Sequence, residues 1–234
     1  MKDQIGDRIK MYENIECARR FIPLLPIYIR LDGKCFSSFT RNMNRPYDKR
    51  LSELMRETTK YLVKESGAVI GYTQSDEISL ILYSDSIVNQ VYFDGKIQKL
   101  VSILASQCTA YFNSHLGDYF SDMNKMAIFD CRCFQLPSLM EAVNVLVWRE
   151  LDATRNSLSM ATRHYYSHKE MMNKKSSEMH NMLMYKMVNW NDYPTFFKRG
   201  TYIKKEELNI PPLSKISNKV EVIFYDEEPI LKGE

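Results

Sequence analysis

The stretch GYTQSDEISLIL, residues 71–82, puts two adjacent acids, Asp76 and Glu77, at the head of an apolar run with the composition of a buried strand. Charge at the start of a core strand needs a reason. AVIGYT (68–73) and EISLILY (77–83) are both rich in strand formers, and the Thr73-Gln74-Ser75-Asp76 link is short and polar, so the pair reads as a tight hairpin with the acids at its turn. Upstream, YDKRLSELMRETTKYLVKES (47–66) spaces Leu51, Leu54, Met55, Thr58, Tyr61 and Leu62 by threes and fours and is followed by Gly67, the signature of a capped amphipathic helix. Before it, LPIYIRLDG (25–33) is a first strand stopped at Asp32-Gly33, preceded by a charged helix within residues 2–20 carrying Ile5, Ile9, Tyr12 and Ile15.

Downstream, Ile97, Leu100, Val101, Leu104, Ala105 and Cys108 predict a second long helix over 96–117, and AIFDCRCFQL (127–136) a fourth strand ended by Pro137. The order β-α-β-β-α-β predicts an α+β fold, a ferredoxin-like palm domain with C-terminal helical and small β additions. Residues 1–137 are expected to form the palm with its N-terminal helix. Residues 138–234 should pack on it as a helical and mixed region, with a helix over 138–168, a late loop at NIPPLSK and a last strand at VEVIFY. In this topology the third strand lies antiparallel to the first, so Asp32 is expected beside Asp76 and Glu77.

Singly, such acids are ordinary turn residues. Three at one sheet edge suit hard divalent cations, which prefer carboxylate and phosphate oxygens. Two such ions suit in-line attack on phosphorus, which makes phosphoryl and nucleotidyl transfer the leading reaction classes. Gly33 would let backbone come close to a metal or a triphosphate, with Lys34 beside it.

Composition narrows the field less. With 44% hydrophobic residues the chain can build a core, and its formal charge of +3 is too mild to define a polyanion partner. The five cysteines have no zinc or disulfide spacing and read as reduced thiols, Cys131 and Cys133 as core residues on one strand face. The charged start MKDQIGDRIK and the lack of a long apolar run predict no membrane segment and a cytoplasmic protein.

RLDGKCFSSF (30–39), GYTQSDEISLIL, ASQ (105–107), FDCRCFQLPS (129–138) and WRELDATRNSLS (148–159) resemble successive blocks of the tRNA(His) guanylyltransferase superfamily, over about residues 10–205. That superfamily includes guanylyltransferase-like 3′-to-5′ polymerases. The resemblance implies a polymerase-like palm run in reverse, in which the 3′-OH of a nucleoside triphosphate attacks an activated RNA 5′ end. It implies two Mg2+ ions held by Asp32 and Asp76 with the Gly33 carbonyl, Glu77 as a third essential acid, and tRNA, GTP and ATP as partners. For triphosphate binding it implies Gly33, Lys34, Cys35, Phe36, Ser37, Ser75, Lys96, Lys99 and Arg132. It also implies a homotetramer, a dimer of dimers. One departure bears on substrate: Thr154-Arg155-Asn156-Ser157 stands where guanylyltransferases proper carry His-Ile-Asn-Asn. The form here is that of the guanylyltransferase-like branch, associated with template-dependent repair of 5′-truncated tRNA.

RNA contacts are assigned to Arg155, Asn156, Lys198 and Arg199. RHYYSHK (163–169), NKK (173–175), NWN (189–191) and FFKRGTYIKK (196–205) mix basic and aromatic residues as an RNA end requires. Trp148 and Trp190 read as core or interface anchors, the Met-rich stretch 171–187 as adaptable packing, and His115, His164, His168 and His180 as surface residues without metal spacing. Addition of the identity guanosine to tRNA(His), a palm-type nucleotide cyclase and a non-catalytic RNA-binding module are the competing readings.

Overall fold

Alternation along IYIRLDG sorts its side chains onto two faces, and both must be covered. In the computed structural model, which describes residues 4–206 and 221–225, this segment is strand β1 (Ile27–Gly33). With β2 (Ile70–Gln74), β3 (Glu77–Leu82), β4 (Phe129–Gln135), β5 (Thr201–Glu206) and β6 (Glu221–Tyr225) it forms one sheet in the order β4-β1-β3-β2-β5-β6, every neighbouring pair antiparallel. The first four strands and the two long helices between them follow the predicted order. β6 covers EVIFY of the predicted last strand, whereas NIPPLSK lies outside the described residues.

The helices are α1 (Gln4–Cys17), α2 (Phe36–Phe39), α3 (Lys49–Ser66), α4 (Ile97–Tyr119), α5 (Leu139–Tyr165), α6 (His168–Met171), α7 (Ser176–Tyr185) and α8 (Thr195–Arg199). α3 begins where the Asp48 carboxylate accepts the Arg50 amide and ends at Gly67, whose φ of 68° closes the last turn. α5 starts at Ser138, which caps the Glu141 amide, and stops at Tyr165, short of the predicted 168, where a separate turn capped by Ser167 begins. α1 buries none of its residues, and Ile5, Ile9, Tyr12 and Ile15 are all exposed. None of the described helices is long and apolar enough to cross a membrane.

One sheet face carries Ile27, Ile29, Leu31, Ile78 and Leu80 against Leu54, Met55 and Leu62 of α3 and Leu100, Leu104, Cys108 and Phe112 of α4. Cys131 and Cys133 pack against this core, and burial pushes their thiols up to about 12 and about 11, which supports packing over redox chemistry. The opposite face is apolar only at one end, where Tyr28, Tyr72 and Ile81 lie under Ala142, Val145 and Leu146 of α5. Trp190 is buried with its indole N–H on the Ser157 hydroxyl at 3.3 Å, while Trp148 is half-exposed with the Arg149 guanidinium 4.5 Å over its ring.

β5 was read from sequence as part of a basic surface. Its Lys204 and Lys205 hide a strand whose Ile203 is fully buried and which adds to β2 through the pairs Gly71↔Ile203 and Thr73↔Thr201. The corner entering it is tight. At Gly200 φ is +82°, and a Cβ built there would lie 2.5 Å from the Tyr72 hydroxyl and 2.6 Å from the Thr73 carbonyl oxygen. Gly200→Ala is therefore expected to destabilise the protein by about 2 kcal/mol or more, lowering the thermal midpoint by several degrees. An unchanged midpoint would show that this corner relaxes freely.

Candidate active site

Strand register decides which acids meet. Asp32 faces Glu77 across β1 and β3 and Asp130 across β1 and β4, so three carboxylates stand in one row on the sheet face that α5 partly covers. The hairpin is tighter than the four-residue link suggests: Gln74 and Glu77 already pair, leaving Ser75-Asp76 as a two-residue turn with Ser75 at φ 52°. The Gly33 amide donates to the Asp76 carbonyl at 3.2 Å, tying the end of β1 to that turn. Gly33 is required by packing, because a Cβ there would sit 2.2 Å from the Phe36 ring. Phe36 itself is a core residue among Phe39, Phe112 and Phe129, with ring centroids 4.8, 5.9 and 5.4 Å away, so only its backbone can serve a ligand. Lys34 spends its amide on the Ile128 carbonyl at 2.8 Å and leaves its side chain exposed, as are Cys35, at φ 55°, and Ser37.

The acids divide into two groups. Burial raises the Asp76 carboxyl above the usual range, the Asp32 charge pushes the same way, and the Ser75 hydroxyl opposes both. Asp32 is 40% exposed, with Arg132 at 3.8 Å; Arg132 also lies 3.2 Å from Asp130. Glu77 is buried and held end-on by Arg149 of α5, Nε to Oε1 and Nη2 to Oε2, both at 2.6 Å. Burial raises its carboxyl against the opposing pull of that guanidinium. Among the described residues no group of three or more His, Cys, Asp and Glu side chains is arranged to hold an ion unaided. The Asp32 carboxylate, close enough to Asp76 for its charge to add to the effect of burial there, the Asp76 carboxylate and the adjacent Gly33 carbonyl are hard oxygens, and a cation would relieve that charge repulsion. This set fits Mg2+, which completes its shell with water and substrate phosphates.

Not every predicted ligand arrives. The Phe129 amide, in register with Gly33, donates to the Thr109 hydroxyl of α4 at 3.1 Å. Lys99 and Lys96 lie ten and thirteen residues earlier on or next to that helix, on the order of 15–20 Å along its axis. At that far end the Lys96 backbone pairs with that of Arg20 and the Lys99 ammonium lies 5.6 Å over the Phe93 ring, so one chain does not bring either lysine to the acids. Lys198 donates to the Asn191 carbonyl at 2.5 Å and lies 5.4 Å over Trp190, and Arg199 reaches Glu150 at 3.4 Å; both brace the corner into β5. Arg155 is exposed, and Asn156 lines a pocket shared with Ser75, Gln74, Tyr47, Phe196 and Phe197.

Three residues around this row escaped the sequence reading. Asp130 was signalled by the alternation in FDCRC, which puts it on the same side as Arg132. Arg149 was signalled by its helical spacing to Asp152 and Asn156, and Arg30, whose buried Nε has no hydrogen-bond partner among the described residues, by its place two positions before Asp32.

The chain matches the family described as Thg1, tRNAHis guanylyltransferase, over residues 6–137. An uncharacterised protein of Acanthamoeba polyphaga mimivirus is 31% identical across 88% of this chain and 78% of its own length. The tRNA(His) guanylyltransferase of Neurospora crassa is 28% identical across 92% of this chain and 78% of its own. Among solved structures, a bacterial tRNA(His) guanylyltransferase-like protein in complex with ATP superposes with a TM-score of 0.86 at 35% identity, covering 97% of this chain and 94% of the other. A shared fold and matches of this length lead to one conclusion: the chain belongs to the tRNA(His) guanylyltransferase family and is a nucleotidyltransferase.

Proposed function

We propose that this protein is a metal-dependent 3′-to-5′ nucleotidyltransferase that rebuilds the 5′ end of truncated tRNA on a ferredoxin-like palm. The observation that supports the reading is the meeting of Asp32, Gly33 and the Asp76 turn at the adjoining ends of β1 and β3, where burial and the Asp32 charge raise the Asp76 carboxyl, as a hard-cation site would. Asp32, Asp76 and the Gly33 carbonyl would hold two Mg2+ ions. Bound there, the ions would activate an attacking 3′-hydroxyl and neutralise the phosphates of the leaving group. The chain's own residues then position the reactants. Arg132, exposed beside Asp32, would meet the triphosphate, and Ser75 orients Asp76 through its hydroxyl. Tyr47, Pro46 and Phe197 give the adjoining pocket apolar walls suited to a nucleobase. Related bacterial proteins in complex with ATP and with GTP support those two nucleotides here.

Thr154-Arg155-Asn156-Ser157 in place of His-Ile-Asn-Asn favours repair. The Neurospora crassa relative favours the second reading, addition of the identity guanosine to tRNA(His). The proposal includes a cytoplasmic homotetramer, for which the exposed apolar residues of α1 and of the outer face of α5, Val143, Trp148 and Leu151, offer surfaces. A 5′-extension assay with Mg2+, ATP and all four nucleoside triphosphates decides between the readings. Several tRNAs lacking their first nucleotide should be extended to full length, against little addition to intact tRNA(His). Extension of tRNA(His) alone selects the second reading, and no extension of any RNA overturns both.

A further inference from the structure

α5 carries a line of alternating charge away from the acids. Arg149, buried, grips Glu77 and also donates through Nη2 to Asp152 Oδ2 at 3.0 Å. Asp152 accepts two further hydrogen bonds, from Arg155 Nη2 to Oδ1 at 3.2 Å and from Asn156 Nδ2 to Oδ2 at 3.3 Å. These residues recur at three- and four-residue spacing and so share one face of the helix. The line is anchored at one end in the sheet, and at the other it offers Arg155, 62% exposed, and Asn156, which lines the pocket that Ser75 also lines.

We propose that Asp152 is a positioning residue that holds Arg155 and Asn156 in the poses that receive the RNA 5′ end; this rests on the nucleotidyltransferase reading above. A surface Arg–Asp pair by itself contributes little. Asp152 differs because its second partner is a buried guanidinium that cannot move without releasing Glu77, so it transmits the rigidity of the sheet to two exposed donors. A guanidinium and an amide fixed side by side suit a phosphate and the polar edge of an unpaired base. Left unheld, Arg155 would spread over many rotamers and lose that ordering on binding.

The test uses the full-length protein and a fluorescent tRNA lacking its first nucleotide, with binding read by anisotropy at fixed salt and extension read alongside. Asp152→Ala is expected to weaken RNA binding about tenfold, the loss of one charge-assisted contact. Asp152→Asn, which keeps the shape and one acceptor, should recover part of the loss and serves if the alanine variant folds poorly. Arg155→Ala should add little to Asp152→Ala, because one contact is lost in either case. RNA affinity unchanged in both Asp152 variants, or losses that multiply in the double variant, overturns the proposal while leaving the enzyme reading intact. A wild-type protein that neither binds nor extends the RNA overturns both.

Discussion

Asp76→Asn should cut nucleotide addition by about a thousandfold, some 4 kcal/mol of transition-state stabilisation, while leaving the protein folded. The carboxylate's position explains both halves of that expectation. Asp76 sits at a two-residue turn where burial and the neighbouring Asp32 charge raise its carboxyl above the ordinary range. A raised acid contributes stability below its unfolded value and loses it as pH rises through the folded value. Near neutral pH the ionised Asp76 is therefore a cost to the apo fold, and an amide of the same shape removes it. The variant should melt at or above wild type in chelator, and wild type should gain more from millimolar Mg2+ than the variant does. Thermal melts with and without Mg2+, set beside single-turnover rates, check this. Activity within tenfold of wild type, or an equal Mg2+ gain in both proteins, would rule out Asp76 as a cation ligand.

The largest effect on stability is expected from Arg149→Met. The guanidinium holds Glu77 by two 2.6 Å hydrogen bonds with both side chains 7% exposed, so its removal strands a carboxylate in the sheet. Losing one partner of such a pair costs about 3–5 kcal/mol, or roughly 10 °C in thermal midpoint for a chain of this size. Part of the cost should return as pH falls, because a carboxyl already raised by burial would then take up a proton. Combining Arg149→Met with Glu77→Gln should recover at least half of the loss, since neither member of the pair is then left charged without the other. Urea unfolding of wild type and the two variants at pH 5.5 and 7.5 measures these differences. If the single variant unfolds within about 1 kcal/mol of wild type, the pair is not the clamp between α5 and β3 that its geometry indicates.

The βαββ core was legible because its signals are local. Leucines spaced by threes and fours, a glycine at a helix end and β-branched runs broken by Asp-Gly and Ser-Asp report their own conformation from a few neighbouring residues. The site was legible to the same depth. An antiparallel third strand beside the first is enough to bring Asp32 to Asp76 and Glu77, and the register does so. β5 was hidden because two lysines dominate a strand whose partner lies 130 residues away at Gly71–Thr73. Lys96 and Lys99 were placed by motif alone, and a motif does not report that their helix begins at the far end of the sheet.

Sequence alone determined the order of elements, the hairpin and the three acids, since each follows from side-chain periodicity and turn chemistry over short spans. Only the tertiary structure decided that Glu77 is clamped by Arg149 while Asp32, next to the Asp76 turn, stays 40% exposed. That division depends on where α5 crosses the sheet, and a helix's crossing point is set by how distant side chains pack, which no local pattern records.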